Sequence, residues 1–229
     1  LAKQEIHAPE AVEEAIAWLE ALPEQVVSGM PVTITANRLI PWYHETPRLR
    51  SKSPRWWRFH DYLNEHTELD ETAIGAVDRA STRVLQCSPA PWDHRGRNYG
   101  LVLGYVQSGK TTNFTSVMAK AADEGYQLLI VLAGTTNSLR QQTQMRLDDQ
   151  LALDFGDWQK LTVSDYEARA ASGDFSRPFN PAKAMLTHQG APLVAVIKKN
   201  APRMRRLREW LGEAGPDIFG NVSTIIIDD

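Results

Sequence analysis

The residues best suited to chemistry lie near the middle of the sequence, in the stretch Gly104–Thr111, which reads GYVQSGKT. The pattern G-x-x-x-x-G-K-[ST] is the spacing that a phosphate-binding loop requires. Glycines let the backbone wrap closely around phosphate oxygens, so that successive N–H groups point inward. Lys110 would reach the β- and γ-phosphates, the Thr111 hydroxyl would hold Mg²⁺, and the following helix would add the positive end of its dipole.

This stretch therefore predicts a nucleotide site with ATP and Mg²⁺ as its ligands. The predicted nucleotide-binding residues are Gly104, Gln107, Ser108, Gly109, Lys110, Thr111 and Thr112. The alternative is a glycine-bearing turn with a solvated lysine. The surrounding sequence favours the nucleotide site, because the apolar run LVLGYV leads into the loop and a helical pattern follows it.

Two carboxylates, Asp228 and Asp229, follow the apolar run TIII at the end of the sequence. A phosphate-binding loop needs an acidic residue at the end of another strand to hold Mg²⁺ or its water. Either aspartate could be this ligand; the alternative is that both merely cap an ordinary strand. We therefore predict Lys110, Asp228 and Asp229 as catalytic residues and Thr111, Asp228 and Asp229 as metal ligands.

The segment VLAGTTNSLRQQTQ, residues 131–144, predicts a strand, a small polar loop and a helix that starts near Ser138. It resembles the second conserved motif of superfamily-two helicases, whose loop contacts the nucleic-acid backbone. Thr135, Thr136 and Asn137 could make such contacts through hydroxyl, amide and backbone N–H groups. Equally, these residues could be an N-capping cluster that needs no ligand.

Basic residues follow the next apolar run, in the stretch IKKNAPRMRRLREW. Lys198 and Lys199 come at the expected end of a strand, on the same edge as the glycine-rich loop, where a phosphate backbone could lie. The arginines that follow could extend this surface, or they could belong to a solvated helix face and pair with glutamates such as Glu209.

The elements that position these residues indicate an α/β fold. From residue 101 onward, apolar runs at 101–106, 126–134, 191–200 and 222–229 alternate with helical patterns. Continuous apolar runs separated by helices are typical of parallel strands buried on both faces. We predict an open α/β sheet with ligands at the carboxyl ends of its strands.

The first part of the chain has a different pattern. Helical spacing is found at residues 9–22, 53–66 and 69–86, and a loop rich in proline and glycine follows. We predict a mainly helical N-terminal section over residues 1–98 and an α/β ATPase lobe over residues 99–229, ending after the strand that carries Asp228. Because the sequence starts with leucine and stops directly after an apolar run, we expect it to be a piece of a longer protein.

The composition limits the class of protein. Hydrophobic residues make up 42% and charged residues 23% of the 229 residues, the balance of a soluble globular protein. The net charge of −3 excludes a globally basic nucleic-acid coat but leaves room for a local basic face. A single cysteine fits a reducing, cytoplasmic setting, and no apolar run approaches the length of a membrane helix, so we expect no membrane partner.

Four stretches together resemble the ATPase region of the Z-one domain family, bacterial proteins often described as putative endonucleases. They are GYVQSGKTTNF (104–114), GYQLLIVLAGTTNSLRQQTQMRLD (125–148), PLVAVIKKNAPRM (192–204) and IIIDD (225–229). The resemblance covers about residues 91–229. It implies a RecA-like P-loop NTPase fold, a three-layer sandwich with a mostly parallel sheet, in which residues 99–229 are the first lobe and end after the Walker B strand. It also implies a helicase-like ATPase that acts on DNA in bacterial antiphage defence, with a partner protein of the same defence system.

The resemblance also implies what these residues lack. The acid that follows the metal-binding aspartate in such enzymes, the second motor lobe and its arginine finger would all come after Asp229. We therefore expect these residues on their own to bind ATP without efficient turnover. No spacing of acids with a lysine supports DNA cleavage by this segment. Two other functions stay open: a small-molecule P-loop kinase, and a nucleotide-dependent switch that recruits a partner nuclease.

Overall fold

A computed structural model of the chain describes residues 42–43, 49–93, 98–102, 109–163, 182–187 and 190–229. The predicted helix over residues 9–22 and residues 104–108 of the glycine-rich loop lie outside these ranges. Along the described ranges the elements are α1 (Pro54–His66), α2 (Glu71–Gln86), α3 (Lys110–Asp123), β1 (Leu128–Ala133), α4 (Asn137–Gln150), β2 (Gln159–Lys160), α5 (Ala182–Thr187), β3 (Leu193–Lys198), α6 (Ala201–Glu213), α7 (Pro216–Phe219) and β4 (Thr224–Asp228).

The strands form one parallel sheet in the order β2-β3-β1-β4. β1 is central: Leu128 lies beside Leu193 of β3 on one side and beside Thr224 of β4 on the other. The mixed α/β architecture and the parallel sheet that the apolar runs predict are therefore confirmed. Since β1, β3 and β4 run in the same direction, they all end at one edge of the sheet, which we call the carboxyl edge.

Helices cover both faces of the sheet, because alternate residues of each strand point to opposite sides. On one face, Leu129, Val131 and Val194 pack with α1, α2, α3 and α4 in a large apolar cluster. On the other face, Leu128, Ile130 and Ala195 pack with α5, α6 and α7. β1 is buried along its whole length, which explains why its sequence, LLIVLA, is apolar without alternation.

α1 and α2 join the same core as the sheet. Trp56, Phe59 and Leu63 of α1 are buried in the cluster that also contains Phe114 and Val117 of α3. At the centre of this helical layer, Lys120 of α3 is only 1% exposed. The described part of the N-terminal section therefore shares its apolar core with α3, while the boundary at residue 98 stays a prediction.

The junction between α1 and α3 also contains a helix cap supplied from another element. Ser53, at the N-cap of α1, makes no side-chain capping bond. Instead, the Asp123 carboxylate accepts hydrogen bonds from the backbone N–H groups of Arg55 (3.2 Å) and Trp56 (2.9 Å). Burial raises the pKa of Asp123 above its usual value, although the hydrogen bonds from Trp56 and Arg55 and the Arg55 charge act in the opposite direction.

We expect Asp123→Ala to lower the free energy of unfolding by about 2 kcal/mol, the upper end of the range for a lost helix cap. The reason is that two N–H groups of α1 would lose their acceptor where water has little access. Asp70→Ala is a matched control, since Asp70 caps α2 at an exposed site by accepting from Ala73 N–H at 2.7 Å. It should cost only about 0.5–1 kcal/mol. Urea unfolding measures both, and an equal loss would contradict the role of burial.

The structure differs from the sequence prediction at the apolar run 101–106. Leu101 and Val102 belong to no strand and are 81% and 55% exposed, and the rest of the run lies outside the described residues. No local pattern predicts β2, because Gln159 and Lys160 are polar and pair with only two residues of β3. The short helices α5 and α7 were likewise not predicted.

Candidate functional site

The carboxyl edge brings together residues that are far apart in the sequence. In the register of the sheet, Ala133 pairs with Lys198 and Leu132 pairs with Asp228. The backbone N–H of Asp229 donates to Leu132 O at 3.1 Å, and that of Lys199 donates to Ala133 O at 3.1 Å. The lysine pair and the aspartate pair are therefore fixed at the ends of strands on either side of β1.

The turn from β1 into α4 lies between these two pairs. Gly134 allows a close approach here, because a Cβ atom on it would lie 2.7 Å from Leu139 Cδ1. Thr136 is the N-cap of α4, and its hydroxyl accepts from Leu139 N–H at 3.3 Å. The capping role is therefore present for Thr136. Thr135 and Asn137 are exposed beside it, and nucleic-acid contact by the three residues stays a prediction.

The two lysines point to different partners along this edge. The Lys198 ammonium donates to the Asn137 side-chain oxygen, which links the end of β3 to the start of α4. The Lys199 ammonium lies 3.0 Å from Asp228 Oδ1 and donates to the backbone oxygen of Asp229 at 2.6 Å. Lys199 thus reaches past the end of β1 to β4. Sequence reasoning placed these lysines on a nucleic-acid surface but did not foresee the ion pair with Asp228, because the order of the strands was unknown.

The glycine-rich loop is described only from its last glycine. Gly104, Gln107 and Ser108 lie outside the described residues. Gly109 is the N-cap of α3 with φ 72° and ψ 26°, a left-handed conformation that favours glycine. Lys110, the first residue of α3, is exposed, and Thr111 and Thr112 after it are half-buried.

The length and packing of α3 are compatible with a start near the carboxyl edge. Residues 124–127 connect the end of α3 to the start of β1, and Val117 and Met118 pack in the same cluster as the sheet. The 14 residues of α3 rise by about 21 Å, close to the ~20 Å length of the six-residue β1. An α3 that runs antiparallel to β1 would bring Gly109 and Lys110 to the level at which β1 and β4 end.

The oxygen atoms at this edge match the preference of Mg²⁺ in type. Carboxylates of Asp228 and Asp229 and the hydroxyl of Thr111 are hard oxygen donors. Among the residues that the structure describes, no three His, Cys, Asp or Glu side chains are arranged to hold a metal ion. A bound Mg²⁺ would take one or two carboxylates here and complete its octahedron with water and phosphate oxygens, as is usual at nucleotide sites. The side chain of Asp228 is 69% exposed, so a hydrated cation can reach it.

The polar residues further along α4 have a structural role that sequence reasoning missed. Gln144 is fully buried, and its side-chain oxygen accepts from the Thr162 hydroxyl at 2.7 Å. That hydroxyl in turn accepts from Val196 N–H of β3 at 2.8 Å. The chain of hydrogen bonds fixes α4 against β3. Gln144, in the stretch LRQQTQ, therefore helps to position the two elements that carry Asn137 and Lys198. A glutamine in the middle of a polar helical stretch gives no signal of this kind in the sequence.

The basic residues of α6 are divided between pairing and exposure. Arg206 lies 3.6 Å from Glu209, as the interpretation of a solvated helix face predicts. Arg205 and Arg208 are exposed on the same helix. β3 leads directly into α6, so these exposed guanidinium groups follow Lys198 closely in the sequence.

Comparison of the chain with protein-family models, with curated proteins and with solved structures finds no match. Along the described part of the chain, no helix has the length and apolar character needed to cross a membrane.

Proposed function

We propose that this chain is the nucleotide-binding lobe of a helicase-like P-loop ATPase that acts on DNA, related to the Z-one domain family. One observation carries the proposal. The G-x-x-x-x-G-K-T sequence opens α3, and β4 of the parallel sheet ends in Asp228 and Asp229. The proposal places the start of α3 at that end of the sheet. A phosphate-binding loop and a metal-binding carboxylate must share one edge of a parallel sheet for this chemistry.

In the proposed site each group has a defined task. Backbone N–H groups of the loop and the positive end of the α3 dipole bind phosphate oxygens. Lys110 neutralises the β- and γ-phosphates, Thr111 contributes its hydroxyl to Mg²⁺, and Asp228 or Asp229 holds the metal or a water bound to it. Mg²⁺ would supply charge neutralisation on the transferring phosphate. The RecA-like identity of the fold belongs to this proposal.

DNA is the proposed second ligand, because exposed polar and basic groups gather at the same edge. Thr135 and Asn137 are exposed, Lys198 and Lys199 are half-buried, and exposed arginines of α6 follow. Ammonium and guanidinium groups contact phosphates without reading base sequence. The net charge of the whole chain is −3, so these basic groups are not part of a generally basic chain.

A binding experiment tests the proposed function. We expect a fluorescent ATP analogue to bind this chain more tightly with Mg²⁺ than with EDTA, and we expect a mixed-sequence DNA oligonucleotide to shift that affinity by at least about fivefold, the lower end of typical coupling between sites. Fluorescence anisotropy measures both effects. AMP serves as the control ligand, since it lacks the β- and γ-phosphates that Lys110 would contact. An affinity for the ATP analogue that is the same with Mg²⁺ and with EDTA would contradict the P-loop assignment. An affinity that does not change when DNA is added would favour the small-molecule kinase.

A further inference from the structure

We infer that Lys199 is an exchangeable counter-ion of Asp228, which occupies the carboxylate in the absence of metal and which Mg²⁺ must displace to bind there. The inference rests on the proposed function, which assigns Asp228 as a metal ligand. Beyond that function, it assigns a role to Lys199: its ammonium group competes with a divalent cation for the Asp228 carboxylate.

The contacts of Lys199 are those that a metal ion at this position would make. Its ammonium lies 3.0 Å from Asp228 Oδ1 and 2.6 Å from the backbone oxygen of Asp229. Both are oxygen atoms of the kind that Mg²⁺ prefers. The ammonium therefore stands in for a cation at the end of β4, and a metal ion that binds Asp228 Oδ1 would compete with it for that oxygen.

The backbone of Lys199 is fixed while its side chain is able to move away. Its N–H donates to Ala133 O at 3.1 Å and to Gly134 O at 3.3 Å, which anchors the residue at the end of the sheet. The side chain is 36% exposed and ends in a flexible four-carbon stem. Release from Asp228 therefore requires only rotation of the side chain into solvent and no change in the sheet.

The exchange is expected to be easy, because exposed ion pairs contribute little to stability. Competition from such a pair should lower the affinity for the metal ion by roughly two- to fivefold. Removing the Lys199 charge should raise the affinity by the same factor. Once displaced, the Lys199 ammonium becomes available to an anion. By reciprocity, an anion that binds Lys199 would make Asp228 more accessible to metal.

The test uses Lys199→Met, which keeps the length of the side chain and removes its charge. Lys198→Met is the matched control: it removes the same charge from the adjacent residue, whose ammonium contacts Asn137. Mn²⁺ replaces Mg²⁺ as the probe, and the electron paramagnetic resonance signal of free Mn²⁺ measures binding without nucleotide. We expect Lys199→Met to bind Mn²⁺ about two- to fivefold more tightly than the unaltered chain and Lys198→Met to change it less. Asp228→Asn should abolish the difference.

The outcomes separate this inference from the proposed function. If Lys199→Met binds Mn²⁺ with unchanged or weaker affinity, or if Lys198→Met has an equal effect, the inference is wrong even when ATP binds through Lys110. It is equally wrong if the gain survives Asp228→Asn or if no variant binds Mn²⁺. If Mn²⁺ binding at Asp228 responds to Lys199 but no ATP analogue binds, the inference stands and the proposed nucleotide function fails. Thermal unfolding of each variant confirms that the fold is intact.

Discussion

Replacement of Lys110 by alanine is expected to weaken binding of an ATP analogue by about tenfold to a hundredfold, the loss that follows from removing one charge-assisted hydrogen bond to phosphate. Lys110 opens α3 directly after Gly109, whose left-handed conformation turns the chain into the helix. Its side chain is exposed, so its loss should leave the fold intact. Fluorescence anisotropy with the analogue and Mg²⁺ measures the effect, and circular dichroism checks the fold.

The control for Lys110→Ala is Lys183→Ala, which removes an exposed lysine from α5 on the opposite face of the sheet. Its ATP affinity should match that of the unaltered chain. If both variants lose affinity equally, the nucleotide is bound through net charge and not at the start of α3. If Lys110→Ala retains full affinity, the loop is a glycine-bearing turn with a solvated lysine, and the proposed motor function fails with it.

Replacement of Lys120 by alanine is expected to have the largest effect on stability, a loss of about 2–4 kcal/mol, as for truncation of a long buried side chain. Its ammonium lies 2.7 Å from Asp78 Oδ1, donates to Ser81 Oγ at 2.5 Å and to Thr82 Oγ1 at 3.1 Å, and lies 4.2 Å from the centre of the Trp56 ring. Alanine would leave a cavity between α1, α2 and α3 and remove these bonds together.

Lys120→Met separates the two causes of this loss, because methionine fills most of the volume without the charge. We expect it to cost about 1–2 kcal/mol, roughly half as much as alanine, since Ser81 keeps bonds to Val77 O at 2.7 Å and to Ser116 Oγ at 2.7 Å. Denaturation by urea compares the three proteins. Equal losses in both variants would show that the hydrogen bonds and charge dominate, whereas no loss in Lys120→Met would assign the whole effect to volume.

The sequence predicts the sheet well because burial on both faces leaves a clear pattern. LLIVLA and LVAVIK contain few polar residues, and both form central strands where predicted. TIIID also forms a strand where predicted, but it lies at the end of the described strand order and is not buried on both faces, with Ile226 58% exposed. Which strands are neighbours depends on how the helices pack on the two faces, and this does not follow from local patterns. The pairing of Lys199 with Asp228 could therefore not be predicted.

Other features escape prediction because their stabilising contacts are distant in the sequence. β2 consists of Gln159 and Lys160 and exists through its pairing with the start of β3. The cap on α1 comes from Asp123, far along the chain, whereas the sequence shows only Ser53 before the helix. The phosphate-binding role of residues 104–112 stays a prediction from their spacing, since the structure describes only Gly109 onward.

The shared core of α1, α2 and α3 has a consequence for how the protein opens. Trp56, Leu63 and Leu85 lie in the same apolar cluster as Phe114 and Val117 of α3. Detaching α1 and α2 would leave α3 with apolar surface in water, and α3 is the helix that carries Lys110. Amide hydrogens of these three helices should therefore exchange with solvent in one cooperative event. Local unfolding that begins in α1 would then also expose the first turn of α3.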